Sequence, residues 1–558
     1  MKALTAAEMR DVDRLTTERF GISGLQLMEN AGRGVADFYR RIVHGESLTV
    51  RWVCVLCGKG NNGGDGFVIA RDLKPVAKSV RVFLFAAPEE LRGDSATNFN
   101  RWQDCGGEVA LVPDEKAWEA AWPEIAAADV LIDAIFGTGF RGVASGVAGR
   151  AIQDINRLSH DATSARPALI LAVDTPSGLP SDGQSAEGPV LRAHHTVTFT
   201  APKVGQLVSD HSESLGALHV VNIGSPVALI EEIGSSALRW AGPEEFGDLP
   251  LVRETDGHKG LYGHILVLAG SLGKSGAAIM AGQAALCAGA GLVTIAAPDV
   301  VLPIVAAAHP EFMTEPLIST DAGTASKRNL MDPPIPKTSD QAAIDNFTKS
   351  MRSRILRIHG DKDVIAIGPG LGQHKETQEV IRSLACATNK PVILDADGLN
   401  AFARRAEDLS DRKSKFLAIT PHPGEMARLL GVSINEVQGD RVKTATEAAK
   451  KWNVHVILKG SHTILAAPDG RIFVNTTGNA GLAKGGSGDT LTGILAACTG
   501  QFKTDDWLRV LALGVYLHGA AADIAVRGTD PSGLLASDVA AAVPKARMEL
   551  LRELRRGG

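Results

Sequence analysis

Short apolar runs, each closing on a turn rich in glycine and aspartate and each followed by a helix-length segment, recur along the chain and constrain its fold more than any other feature. In the first part they are Arg51 to Cys57, Val80 to Ala86, Val130 to Phe136, Leu169 to Val173 and Thr196 to Thr200. Further on they are Gly263 to Ala269, Val364 to Ile367, Val392 to Leu394, Leu417 to Thr420 and Val454 to Leu458. A strand that is apolar on both faces must be covered on both, so the pattern predicts parallel sheets flanked by helices. The expected fold class is α/β, built as three-layer αβα domains. Ligands in such sheets bind at the carboxyl ends of the strands.

A chain of 558 residues exceeds what one core usually supports. The pattern loosens around residues 224–250, with Gly224-Ser225-Pro226, Gly242-Pro243 and Leu249-Pro250, and the expected domains are 1–228 and 229–558. Residues 1–45 read as helical, with Leu15, Leu25, Leu27, Met28, Val35 and Phe38 as buried positions. Residues 320–350, carrying Pro333-Pro334-Ile335-Pro336, lack periodicity and read as a flexible surface insertion. A strand pair, His462 to Ala466 and Arg471 to Val474, precedes the last glycine cluster.

Lysine plus arginine number 58 against 63 acidic residues, a net charge of -5, which gives no footprint for nucleic acid or a membrane surface. The expected partner is a small molecule. Six cysteines do not suggest a disulfide framework, and Cys54 and Cys57, three apart in a strand, face opposite sides and read as reduced core thiols. The N-terminal residues lack an apolar signal core, and a soluble, cytoplasmic protein, assembled as a homo-oligomer, is the expectation.

Chemistry concentrates at the strand ends. Gly58 to Gly66 (Gly58-Lys59-Gly60-Asn61-Asn62-Gly63-Gly64-Asp65-Gly66), Asp133 with Gly137 to Gly142, and Asp174 to Gly178 would converge on one site. Two of these clusters match G-x-G-x-x-G formally, but the dinucleotide fingerprint also needs a long helix and a later ribose-binding acid. Asn61, Asn62, Asp65, Asp133, Asp174 and Ser177 supply oxygen and amide groups suited to a polar ligand and a hard cation. The plainer alternative makes each aspartate a helix cap. Gly270 to Gly276 resembles a P-loop but has two residues between its glycines where Walker A needs four, so that reading is rejected.

The most pointed cluster is Lys484 to Gly493, where glycines run into an apolar helix. Successive backbone N–H groups and the helix N-terminus make an anion cradle there. Asp489 would repel the anion that this cradle attracts, so its expected task is to take a proton from a hydroxyl while the N–H groups hold a transferring phosphoryl group. A glycine loop with Asp489 as a cap is the alternative.

Together these motifs resemble a known family. Gly257 to Gly260, Gly368 to Gly372, Pro421 to Glu425, Lys459 to Thr463 and Gly485 to Gly493 resemble the NAD(P)HX dehydratases of the ribokinase-like superfamily. Asn61 to Gly66, Gly137 to Gly142 and Asp174 to Gly178 resemble the NAD(P)HX epimerases, so the chain is similar to the bifunctional NAD(P)H-hydrate repair enzymes over nearly its whole length. The resemblance implies a Rossmann-like domain followed by a ribokinase-like one. It implies that Asn61, Asn62, Gly63, Gly64, Asp65, Gly137, Thr138, Gly139, Phe140, Arg141, Gly142 and Val143 hold the hydrated nucleotide, NADHX or NADPHX. Asp174 would touch the reacting ring as the first acid/base candidate, with Lys203 as the second. Asn62, Asp133 and Ser177 would bind potassium (K+). In the second domain Gly370, Gly372, His422 and Asp489 would contact the hydrate, and Lys459, Gly460, Ser461, His462, Thr463 and Gly488 the nucleotide co-substrate, ADP or ATP, accompanied by magnesium (Mg2+). His422, between two prolines, also has a purely structural reading. Two alternatives stay open at this level: a small-molecule kinase of the same superfamily, and a first domain that binds ligand without catalysis.

Overall fold

The computed structural model describes residues 1–45, 52–159, 168–317 and 341–557. They divide into two compact units, Met1–Trp240 and Ala241–Gly558. Residues 229–240 fall after the boundary read from sequence, yet Leu229 and Ile230 pack with Leu4, Met9, Val12, Leu15 and Ala201 of the first unit. An apolar helix, Val227–Ile233, completes that small core.

The first unit holds β1 (Trp52–Cys57), β2 (Ser79–Leu84), β3 (Glu108–Leu111), β4 (Val130–Ala134), β5 (Leu169–Val173), β6 (His195–Phe199) and β7 (Ala217–Val221). Every pairing is parallel and the order is β3-β2-β1-β4-β5-β6-β7. Alternation along β1 sends Val53, Val55 and Cys57 into one helical layer and Cys54 and Leu56 into the other. The sequence reading misses β3 and β7 because both are edge strands. Their partly exposed residues, Glu108 and His219 among them, dilute the apolar run. A short strand, β8 (Leu238–Trp240), closes the unit.

In the second unit β9 (His264–Leu268), β10 (Leu292–Ala297), β11 (Met313–Pro316), β12 (Val364–Ile367), β13 (Val392–Leu394), β14 (Leu417–Ile419), β15 (His455–Leu458), β16 (Thr463–Ala466) and β17 (Ile472–Asn475) run in the order β11-β10-β9-β12-β13-β14-β15-β16-β17. Pairings from β11 to β15 are parallel, and β15-β16-β17 are antiparallel. The strand β10 is buried but follows Ala288-Gly289-Ala290-Gly291 without a polar break, which hid it from the sequence reading. Small residues let two helices touch: a Cβ on Gly493 would sit 2.0 Å from the Ala281 carbonyl oxygen, joining Ser487–Gln501 to Ser275–Cys287. The insertion read over 320–350 needs correction at its end, because Gln341–Ile358 is one helix of 18 residues. Its earlier part lies outside the described residues. Among those described, the helix Trp507–Ala525 is long and apolar enough to cross a membrane, but it is a core helix with 78% of its apolar window buried.

Candidate active sites

In the first unit the connections reverse direction between β1 and β4, which opens a crevice at the carboxyl ends of those strands. Three strand ends meet there. The turn after β1 leads into the helix Asn61–Leu73, and Gly63 must be glycine because a Cβ would lie 1.8 Å from the Gly58 carbonyl oxygen. After β4, a Cβ on Gly137 would sit 2.9 Å from Asp174 Oδ2 and 3.1 Å from Asn62 Oδ1, so both side chains face the same small space. Asp174 follows β5 with φ +62°, a conformation that L-residues rarely adopt.

The Asp174 carboxylate is held from several sides. It accepts from Thr138 N (2.7 Å) and Thr138 Oγ1 (2.6 Å), and it pairs with Lys203 Nζ at 2.7 Å. Lys203, 1% exposed, also donates to Thr198 Oγ1 at 2.7 Å. Burial alone would push the Asp174 carboxyl up, but the Lys203 ammonium and the Thr138 donors outweigh it and hold the group below the usual carboxylate range. Asp65 goes the other way: burial, followed by the charges of Asp174 and Asp13, raises it well above that range. The site therefore biases its two carboxyl groups in opposite directions, Asp174 toward the ionised form and Asp65 toward the neutral one.

Asp133 is 1% exposed and accepts from Ser177 N (2.8 Å) and Ser177 Oγ (2.6 Å), while burial lifts its pKa to about 6. Both amide atoms of Asn62 are buried and have no hydrogen-bond partner among the described residues. Gly64 is buried, Asn61, Gly139, Arg141, Gly142 and Val143 are exposed at the rim, and Phe140 stacks on Phe136 at 4.7 Å. The sequence reading overlooked Asp13. It lies on the helix Ala6–Phe20 with Oδ1 buried and, among the described residues, unpartnered, and burial, opposed by Lys203 and reinforced by Asp174, raises it to about 6. Nothing in an amphipathic helical pattern marks one acid on its inner stripe as special.

In the second unit Asp395, 1% exposed, fastens the strand ends together. It accepts from Thr420 Oγ1 after β14 (2.6 Å), Lys459 Nζ after β15 (2.8 Å) and Thr492 Oγ1 of the helix Ser487–Gln501 (2.9 Å). Asp397 receives Gly372 N at 2.8 Å and Lys274 Nζ at 3.3 Å, while Ser271 Oγ donates to the Gly370 carbonyl at 2.7 Å. The glycine cradle lies against this network: a Cβ on Gly488 would be 3.4 Å from Lys459 Nζ. Asp489, in the first turn of that helix, has no hydrogen-bond partner among the described residues. Burial, followed by repulsion from Asp395, raises its pKa to about 6. That is the profile of a general base poised near its working pH.

His422 has a visible structural task. Its Nδ1 accepts from Gly424 N (3.0 Å) and Glu425 N (3.4 Å), capping the helix Pro423–Leu430, while half of the side chain stays exposed. In the Lys459–Thr463 turn, Lys459 N donates to the Pro421 carbonyl, Gly460 and Ser461 are exposed, Thr463 Oγ1 donates to the Gly460 carbonyl, and His462 has φ +52°. His518, on the helix Trp507–Ala525, was also missed by the sequence reading. It is 8% exposed, bonds to the Ser487 backbone at the cradle, and keeps Nε2 buried without a partner among the described residues, with burial lowering its pKa to about 4. A lone histidine in an apolar helix carries no sequence signal.

Comparison with known proteins decides the family. Residues 265–545 match the family described as NAD(P)H-hydrate dehydratase, and residues 24–205 match the YjeF-related protein N-terminus. The bifunctional NAD(P)H-hydrate repair enzyme Nnr of Moorella thermoacetica is 40% identical over 554 residues, covering 99% of this chain and 98% of that protein. The chain belongs to the bifunctional NAD(P)H-hydrate repair enzyme family. The member from Thermofilum pendens is 37% identical over 99% of this chain and 97% of its own length. Among solved structures, the ADP/ATP-dependent NAD(P)H-hydrate dehydratase from Bacillus subtilis, co-crystallised with ATP and Mg2+, is 30% identical over 56% of this chain and 98% of its own, with a TM-score of 0.45. Both sites described above thus lie in a chain that carries both halves of this repair family.

Proposed function

We propose that this enzyme interconverts the R and S hydrates of NADH and NADPH in its first unit and dehydrates the S hydrate at the expense of a nucleotide, with ADP preferred, in its second. The observation that carries the reading is full-length likeness, 99% of the chain, to a bifunctional repair enzyme. The ionised Asp174 and the unpartnered Asp489 at the two sets of strand ends support it. Epimerisation removes hydroxyl from the ring carbon and returns it to the other face. Asp174, balanced by Lys203, accepts and returns the proton, and Asp65, kept neutral, is the complementary donor. Asn61 to Asp65, Gly137 to Val143 and Asp174 enclose the hydrated nicotinamide.

Potassium fits this site. The unpartnered Asn62 amide oxygen, the buried Asp133 carboxylate and Ser177 Oγ form a set of hard oxygen donors. The ion would supply the positive charge that Asp133 lacks and fix the two loops on which substrate rests.

In the second unit Asp489 takes the proton of the ring hydroxyl, whose oxygen forms a bond to the terminal phosphoryl group as the P–O bond to the nucleotide breaks. Phosphate then leaves the ring carbon, and loss of a proton from the adjacent carbon restores the dihydronicotinamide. The Gly485 to Gly488 amides and Lys459 hold the phosphoryl group, Gly370, Gly372 and His422 line the hydrate, and Lys459 to Thr463 hold the nucleotide. Among the described residues no cluster of three His, Cys, Asp or Glu side chains is arranged to hold a metal ion, so Mg2+ is expected to arrive on the phosphates. The enzyme works in the cytoplasm, as a homo-oligomer, on free nucleotides and without nucleic-acid or membrane partners. A net charge of -5 and burial of its most apolar long helix agree with this. Incubating the protein with mixed R and S hydrates and either ADP or ATP tests the reading. Full return of the reduced-nicotinamide absorbance, faster with ADP, is expected, and accumulation of a stable phosphorylated product would favour a kinase.

A further inference from the structure

The Lys459–Thr463 turn projects from the end of β15, and what holds it in place is a residue outside every motif singled out from the sequence. Arg441 opens the helix Arg441–Trp452 and turns its guanidinium under that turn. Nη1 donates to the Ser461 carbonyl at 2.6 Å and Nη2 to the Leu458 carbonyl at 3.2 Å. Gly460 lies directly above: with φ +153° and a would-be Cβ only 2.7 Å from Arg441 Nη2, it has to be glycine for the guanidinium to fit. One planar fork thus grips two carbonyls of the segment from Leu458 to Ser461, adding to the bonds that Lys459 N and Thr463 Oγ1 make there.

The charge is unusual as well. Among the described residues no carboxylate offsets the burial of Arg441. The neighbouring Asp440 is committed to capping its own helix, accepting from Lys443 N at 2.9 Å. Burial lowers the Arg441 pKa, and its Nε is buried and has no partner among the described residues. A half-buried guanidinium facing only carbonyl dipoles stabilises an anion placed on the other side of the turn. In the reading above, that anion is the phosphate chain of the nucleotide.

We propose that Arg441 is a nucleotide-positioning residue, which fixes the Lys459–Thr463 turn through its two carbonyl contacts and supplies the uncompensated positive charge that favours a nucleoside di- or triphosphate there. This rests on the dehydratase reading of the second unit. The test uses the full chain with Arg441→Gln and Arg441→Lys, measuring KM and kcat for ADP in dehydration, equilibrium binding of ADP, epimerisation and melting temperature. Loss of two charge-assisted contacts is expected to raise KM and Kd for ADP by about 10- to 100-fold in Arg441→Gln, with kcat changed less than about threefold and epimerisation unchanged. Arg441→Lys keeps the charge without the fork and falls between. A wild-type KM and Kd in Arg441→Gln overturns the proposal, and so does a parallel fall in kcat and melting temperature, which marks a merely structural residue. Should the wild type dehydrate nothing with either nucleotide, the functional reading fails on its own, while ADP binding still reports on Arg441.

Discussion

The two candidate sites share an architecture, and each holds one lysine-paired aspartate beside one raised by burial, but the aspartate proposed as the proton acceptor is the paired one in the first unit and the unpaired one in the second. Both sit at the carboxyl ends of parallel strands, and both place an aspartate beside glycines. In the first unit Asp174 is matched to a buried ammonium 2.7 Å away and stays ionised. In the second, the Lys459 ammonium bonds to Asp395 while facing the glycine cradle, and Asp489 has no hydrogen-bond partner among the described residues, at a pKa of about 6. A reaction that runs both ways across one ring carbon needs a carboxylate whose charge is balanced throughout. A one-way phosphoryl transfer instead needs a base that gains by taking a proton, next to a cation turned toward phosphate.

The sharpest way to break this contrast is to neutralise each aspartate in turn. Asp489→Asn is expected to lower dehydration by about 10²- to 10⁴-fold and leave epimerisation at the wild-type rate, and Asp174→Asn to do the reverse. Steady-state rates of the two reactions on the same preparations check both, and a variant that loses both activities would argue against separate sites. Next in size is Lys203→Met, which strands Asp174 as a buried unpaired charge and should cost about 3–5 kcal/mol together with epimerisation. Because Asp174 is depressed below its ordinary 3.8, that stabilisation is present above pH 3.8 and is lost as pH falls through the lower folded value, so urea melts of wild type and variant should converge in acid.

The asymmetry also predicts a stability gain. Asp489 is raised in the folded protein from 3.8 to about 6, so ionising it disfavours folding above pH 6 and costs nothing below 3.8. Asp489→Asn should therefore melt higher than wild type at pH 8 and equally at low pH, and wild-type dehydration should rise with pH through about 6. Equal melting at every pH would mean that the carboxylate is not desolvated. The smallest effect concerns the cation: potassium should raise the melting temperature of wild type more than sodium does, and Asn62→Ala should erase the difference. A response unchanged in Asn62→Ala would place the ion elsewhere.

Much of this was legible in the chain because buried parallel strands must be apolar and their ends must turn. Thus β1, β4, β5, β9 and β12 to β15 were readable with the clusters that follow them, and so was the cradle at Lys484 to Gly493. Edge strands such as β3 and β7 share their residues with solvent and lose that signature. Asp13, Arg441 and His518 were illegible for another reason. Each acts through partners distant in sequence, as Arg441 does by gripping the Leu458 and Ser461 carbonyls. His422 shows the converse, since its flanking prolines suggested a structural role that its capping bonds display.

The division of labour between the two units is tested most directly by mixing. Asp174→Asn and Asp489→Asn, each alone and then in equal amounts, would be given a mixed R and S hydrate with ADP while the return of reduced-nicotinamide absorbance is followed. The account predicts that Asp174→Asn alone rapidly recovers only the S fraction, that Asp489→Asn recovers almost none, and that the mixture recovers both at a rate approaching wild type. If Asp174→Asn alone recovers both fractions at the wild-type rate, or if the mixture stops at the S fraction, two separate sites with these two aspartates do not account for the repair.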